Sequence, residues 1–361
     1  LIDKLGLVCV NKKYICTSFY YREKTMTSSK LIPSLTLEEN LKSDQADKIT
    51  VGLSACLAGH NVRFNGGHTQ SKLCINTLSE HFNYLTFCPE VAAGFSTPRA
   101  TMRLSEDKNK AVKLSYSNDP DSDITDQLVD GFTPALSEFN QLDGYILMKN
   151  SPSCGLSRIK VYQENGMPKR EMSQGYFAAA LQKAYPLLPL EEEGRLNDAH
   201  LYENFILRVY AHHNFRVEVL EQASLHNLMT FHASYKYILL SQNQILYKQL
   251  GRLLAKANKD DVDGVVNEYF TLFMQALSKP AHRKGHVNTL LHVFGYFKRQ
   301  LSQSAKQSIL RTIKMYQAGQ LPLVTPLTLL QHYIDEFGNE YLRQQRYFSP
   351  YPQTLGLANH V

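Results

Sequence analysis

The sequence predicts an α/β domain with a Rossmann-like, mostly parallel sheet flanked by helices over residues 48–200, followed by an all-α domain over 201–361. Three observations lead there. Strand-like runs alternate with helical ones as far as SQGYFAAALQKAY (173–185), and β-α-β-α-β order argues for a parallel sheet with helices on both faces. PLLPLEEEGRLND (186–198) is Pro-rich and acidic, and reads as the joint between two domains. Beyond it, apolar residues recur at three-to-four spacing in every long segment. With 361 residues, two domains are also the expectation from length.

In chain order, KITVGLSAC (48–56) reads as a first strand and SKLCINTLSEHF (71–82) as a helix, with Cys74 packing as a small apolar group. YLTFCPE (84–90) is a second strand, DITDQLVDGFTPALSEFNQL (123–142) an amphipathic helix, and DGYILMK (143–149) a third strand. IKVYQ (159–163) reads as a short strand or strand edge. ENFILRVYAHH, LHNLMTFHASYKYILL, YKQLGRLLAKA, VVNEYFTLFMQALS, VNTLLHVFGYFKRQL and SAKQSILRTIKMYQAG supply the later helices. Residues 1–47 are read as a poorly ordered N-terminal extension, and residues 1–25, which precede the first methionine, as an upstream start or extension.

Composition excludes several classes. Hydrophobic content of 43% and 20% charged residues are ordinary for a globular protein. No run approaches the ~18 consecutive apolar residues of a membrane span, and the N-terminus lacks an export signal. A cytoplasmic location and no membrane partner are therefore expected. Six cysteines in 361 residues are too sparse for a disulfide scaffold. The net charge of +6 is uneven. Residues 51–204 hold 14 Lys and Arg against 18 Asp and Glu, a net of −4, and residues 205–361 hold 17 against 9, a net of +8. A basic second domain suits a nucleic-acid partner, although a solvated basic surface is the commoner meaning.

Chemistry concentrates at three strand ends. Cys56 closes the first strand in SACLAG, Cys88 the second in FCPE, and Cys154 follows the third in NSPSCG. In a parallel sheet these ends share one edge, where α/β folds place their sites. Pro152 and Gly155 make the last loop stiff. Three thiolates suit a soft metal. Structural zinc usually brings paired CxxC knuckles, which are absent here. An iron–sulfur cluster on three cysteines leaves one iron open to substrate. Three unrelated buried cysteines are the plain alternative. Glu90 stands two residues after Cys88 as a candidate acid or base. Ser151 and Ser153 are candidate donors to substrate or cluster sulfur, and Arg63, Arg99 and Lys149 candidate ligand contacts. In the helical domain, His226, His232, His286 and His292 stand six apart in pairs, a spacing that does not share a helical face. They read mainly as buried hydrogen-bonding groups, with a converging metal site as the alternative. Tyr235, Tyr237, Tyr296 and Phe297 read as packing residues, with base stacking as the alternative.

SACLAGHNVRFNGG, FCPEVAAGFSTPR and LMKNSPSCG resemble the signatures of the thiouracil desulfidase family, and the helical half resembles the YbgA-type domain in LHNLMTFHASYK, YKQLGRLLA, VNTLLHVFGYFK and LPLVTPLTLLQHY. The resemblance spans roughly residues 50–360. It implies that Cys56, Cys88 and Cys154 hold a [4Fe-4S] cluster with one open iron, that Glu90 and Ser151 are catalytic, and that water replaces the sulfur of a thiolated pyrimidine with no net redox change. A small thiolated nucleobase is then the expected partner. The departures are Phe64-Asn65-Gly66 where the family often has Tyr-Asp-Gly, Ser96 where a Pro is common, and Tyr235 in place of a second histidine. A nucleic-acid-binding module and a cluster-based sensor remain the other functional readings.

Overall fold

The computed structural model describes residues 36–37, 49–337 and 340–359. Cys9, Cys16 and nearly all of the expected N-terminal extension lie outside the described residues. Among the described residues no helix is long and apolar enough to cross a membrane.

The strands are β1 (Thr36–Leu37), β2 (Ile49–Ser54), β3 (Phe82–Phe87), β4 (Met102–Glu106), β5 (Val112–Tyr116), β6 (Gly144–Leu147), β7 (Ile159–Tyr162), β8 (Pro168–Ser173) and β9 (Leu190–Glu192). The helices are α1 (Ala55–Ala58), α2 (Pro89–Ala92), α3 (Thr125–Phe132), α4 (Tyr176–Ala184), α5 (Ala199–Phe215), α6 (Leu225–Gln242), α7 (Gln244–Ala255), α8 (Val262–Ala276), α9 (Arg283–Phe297), α10 (Gln303–Gln317), α11 (Val324–Phe337) and α12 (Glu340–Arg343).

The main sheet runs β1-β3-β2-β6-β9. β3, β2, β6 and β9 are parallel, and β1 joins β3 antiparallel. Its central strands are apolar on both faces because helices cover both. Leu128, Phe132, Phe139, Phe177 and Leu181 pack on one face. Cys74, Leu78, Phe205, Ile206 and Val209 pack on the other, joined there by Leu355 and Leu357 from the far end of the chain. Register pairs Ser54 with Phe87 and Leu53 with Ile146, so the three strands preceding the cysteines end on one edge.

Several expectations are corrected. The helix predicted over 71–82 is a π-helical turn (Leu73–Thr77) and a 3-10 turn (Leu78–Glu80), although Cys74 is fully buried as expected. The helix predicted over 123–142 is α3 followed by a 3-10 segment, Thr133–Gln141, with Pro134 near its start. Residues 186–198 do not form a free joint, because β9 lies within them and extends the sheet. The chain crosses between cores inside α5, whose Phe205, Ile206 and Val209 pack on the sheet while Leu207, Ala211 and Phe215 pack among the later helices. A second sheet, β5-β4-β7-β8, was legible only as the strand at 159–163. Its β4–β5 turn is set by Asp107, whose Oδ1 accepts from the amides of Asn109 and Ala111 at 2.8 Å. Strand β8 is almost wholly exposed, so PKREMS carries no apolar alternation to read.

Asp143 ties α5 to the sheet at the start of β6. Its carboxylate is fully buried and accepts from His212 Nδ1 (2.9 Å), His213 Nδ1 (2.7 Å) and the Arg216 guanidinium (Nε 3.1 Å, Nη2 2.9 Å). Burial alone would raise its pKa, but these hydrogen bonds outweigh burial and hold it well below the usual carboxylate range.

In the helical domain, Tyr235, Tyr237 and Phe297 are core residues, so they offer no stacking platform; Tyr296 is the exposed member of that set. The four histidines do not converge. His232 Nδ1 pairs with Tyr269 Oη at 3.0 Å and His286 Nδ1 with Tyr347 Oη at 2.9 Å. Burial, then Lys236, lowers His232 to about 4; burial, then His200, lowers His286 to about 4. An unfolded histidine titrates near ~6.5. These depressed values make the unfolded chain bind more protons below that pH. Stability is therefore expected to be complete above pH ~6.5 and to fall as the pH drops toward 4. Urea midpoints measured from pH 7 to 4.5 should fall more steeply for wild type than for His286→Gln; parallel curves would reject this account.

Candidate active site

The NSPSCG loop is held from three sides. Ser54 Oγ accepts from the Met148 amide at 3.0 Å where β6 ends. Ser151 Oγ accepts from the amides of Cys154 (3.1 Å) and Ser153 (3.3 Å), closing a local turn. The first turn of α4 then grips the loop, with Phe177 N donating to Ser153 O (3.0 Å) and Gly175 N to Gly155 O (2.8 Å). Gly155 is needed for close packing, because a Cβ there would lie 2.2 Å from Ile159 Cδ1 and 2.8 Å from Ser151 O. On the far side, Glu192 Oε1 accepts from Leu156 N at 2.9 Å.

Cys56, Cys88 and Cys154 line one cavity of about 190 Å³ at the carboxyl edge of the main sheet. Cys56 lies in α1 directly after β2, and Cys88 caps α2 in extended geometry with Pro89 as the first helical residue. Burial pushes the Cys56 thiol up to about 12, with Cys88 as the next cause. Burial, then Glu90, pushes Cys88 up to about 11. Cys154 is raised well above the free-thiol value by burial, then Cys88, Glu90 and Cys56. Burial and neighbouring negative groups thus disfavour all three thiolates, and a cationic centre is what would hold them ionised. Among the described residues no group of three or more His, Cys, Asp or Glu could hold a metal ion. The three thiols nevertheless share one cavity. A cluster binds each thiolate through a different iron, so three thiols lining one cavity fit it.

Glu90 also lines the cavity. Its Oε2 is paired with Arg99 Nη2, and its Oε1 accepts from Ser153 Oγ at 2.5 Å. Ser153 Oγ stands 2.9 Å from Ser151 Oγ. An ionised carboxylate only accepts, so Ser153 donates its one proton to Glu90, and Ser151 donates to Ser153. The network therefore has a direction, Ser151 to Ser153 to Glu90.

Of the candidate ligand contacts, Arg99 is committed to the protein: its side chain is 5% exposed, and Nη2 also donates to Val62 O at 3.0 Å while Nη1 donates to Ser96 O at 3.1 Å. Arg63 binds Thr69 Oγ1 and lies over the Phe64 ring at 5.8 Å. Lys149 is half exposed at the mouth, 3.2 Å from Glu193 Oε1. Ser153, 1% exposed, is the residue that touches Glu90, whereas Ser151 reaches it only through Ser153. Sequence reasoning missed Phe64 and Tyr145. Phe64 lines the cavity and is 40% exposed, a combination no local pattern announces.

A model of the 2-thiouracil desulfurase family matches residues 51–193. The Bacillus subtilis (strain 168) protein YbbK is 32% identical over 154 residues, which are 40% of this chain and 97% of that protein. The chain belongs to the 2-thiouracil desulfurase family. A second family model, described as protein of unknown function DUF1722, matches residues 236–352. The Escherichia coli (strain K12) protein YbgA is 29% identical over 158 residues, 44% of this chain and 94% of that protein. Among solved structures, the [4Fe-4S]-dependent thiouracil desulfidase TudS is 27% identical and is matched over 100% of its length and 44% of this chain, with a TM-score of 0.34.

The desulfurase match contains all three cavity cysteines and the Arg99–Glu90–Ser153–Ser151 network. The desulfurase region is fastened to the helices after it through side chains of α5. Asn204 Nδ2 donates to Leu277 O at 3.0 Å, and Tyr351 Oη donates to Glu203 Oε1 at 2.7 Å.

Proposed function

We propose that the desulfurase region removes sulfur from a thiolated pyrimidine of the 2-thiouracil type and releases it as sulfide, using a [4Fe-4S] cluster held by Cys56, Cys88 and Cys154. The observation that carries this reading is the shared cavity: three thiols, the Glu90 carboxylate and the Ser151 hydroxyl line one opening at the sheet edge, with Ser153 joining the last two. Family membership supplies the substrate class. When bound through three cysteines, the cluster would supply a Lewis-acidic iron without a protein ligand, able to polarise a substrate sulfur.

The chain's own groups manage water and protons. Exchange of C=S for C=O consumes one water and releases hydrogen sulfide, with no net electron transfer. Glu90 accepts a proton from the water that attacks the ring carbon and returns it to the departing sulfur. Arg99 holds one carboxylate oxygen, so the other stays aimed at Ser153. Ser151, on the cavity wall, passes protons to Glu90 through Ser153. Arg63 and Lys149 offer donors to the polar edge of the ring, and Phe64 offers an aromatic wall.

Anaerobic reconstitution with an iron and sulfide count, followed by 2-thiouracil, tests the reading. About four irons per chain and sulfide release are expected. Iron without release would reject the reaction and favour a sensing role. Absence of iron after reconstitution would reject the metal centre itself.

A further inference from the structure

Tyr145 stands in the middle of β6, two residues before the strand ends and the NSPSCG loop begins. Its ring is fixed on every side. Gly52 faces it across the β2–β6 pair, where a Cβ would lie 2.1 Å from Tyr145 Cδ2. Phe139 and Phe177 pack edge-on at centroid distances of 5.9 and 5.7 Å. The residue is 0% exposed, and its hydroxyl is buried with no hydrogen-bond partner.

A phenol oxygen in an aromatic core without a partner is destabilising, and phenylalanine would fill the same space without it. The surroundings name the partner. Tyr145 shares its core cluster with Cys154. Burial first, then Cys154, Cys88 and Cys56 in that order, raise its pKa well above that of a free phenol. The group is thus a protonated donor within the core that also holds Cys154.

We propose that Tyr145 is a positioning residue for the metal centre, its hydroxyl donating a hydrogen bond to a cysteinyl or inorganic sulfur once the three thiolates are engaged. The inference rests on the cluster reading above. A donor on sulfur withdraws negative charge from the centre, which favours the reduced state and slows loss of the cluster.

Tyr145→Phe removes only the oxygen, and it tests the proposal by signs that differ between the two forms of the protein. The iron-free variant should melt at or above the wild-type temperature, because an unpaired buried group has been removed. The reconstituted variant, with the same iron count, should show a more negative midpoint potential in spectroelectrochemical titration. Its visible absorbance should also disappear several-fold faster in excess chelator. A matching potential and loss rate at full iron content would overturn the proposal. So would an iron-free variant that melts clearly below wild type, which would mean that the oxygen has a partner without the cluster. Failure of wild type itself to take up iron would instead remove the cluster reading, and the iron count tells the two failures apart.

Discussion

Glu90→Gln is expected to lower kcat for release of sulfide from 2-thiouracil by about 10²–10⁴-fold, with the iron content of wild type. The substitution keeps the shape of the side chain and removes its charge. In the native arrangement one oxygen faces the Arg99 guanidinium and the other accepts from Ser153, both contacts demanding an acceptor. A glutamine has one acceptor and one donor end. Its oxygen turns to Arg99, since an amide N–H₂ there would face a cation. The N–H₂ then points at Ser153 and reverses the Ser151-to-Ser153-to-Glu90 direction. The proton acceptor is lost together with the relay that serves it, while the cysteines are untouched. Steady-state sulfide assays alongside iron analysis check this. A variant with full iron and unchanged kcat would remove Glu90 from the mechanism.

Asp143→Ala is expected to destabilise the protein by about 3–5 kcal/mol, the cost of stripping one partner from a buried ion cluster. The carboxylate is fully buried and accepts from His212, His213 and Arg216 at hydrogen-bond distance. Its removal leaves these donors facing an apolar void between β6 and α5. Asp143→Asn retains one acceptor and should cost less. Because the folded pKa is held below the unfolded value of ~3.9, the carboxylate's contribution is complete above that pH and is lost as the pH falls below it. Denaturant titrations at pH 7 should show the full loss for Asp143→Ala, and the gap to wild type should narrow in strong acid. A wild-type midpoint at pH 7 would refute the account. Asp143 lies at the start of β6 and the thiols lie past the strand ends, so folded variant should keep its turnover.

Much of the architecture was legible along the chain because it is written in local patterns. Apolar runs of four to six residues mark the parallel strands, and three-to-four spacing marks the helices from α6 onward. Parallel strands deliver their ends to one edge, so the convergence of Cys56, Cys88 and Cys154 follows from order alone. The second sheet was largely hidden, since β8 buries nothing and β4 and β5 are each only half covered. The π-helical turn at Leu73–Thr77 was hidden as well, because its apolar spacing is that of an ordinary helix.

By itself, the sequence determined the fold class, the three strand-end cysteines and the neighbourhood of Glu90, all consequences of residue type and spacing. Only the tertiary structure decided which partner each group takes. Glu90 meets Ser153 across 63 positions, Asp143 meets Arg216 across 73, and Tyr145 shares a core with Cys154 with its hydroxyl unanswered. Ser151 and Ser153 look equivalent in the chain, yet only Ser153 touches the carboxylate, because the Ser151 oxygen is turned inward to hold the Cys154 amide. Hydrogen bonds of this kind depend on direction and on tenths of an ångström. Periodicity carries neither, so the partners emerge only when strands, loops and α4 are packed together.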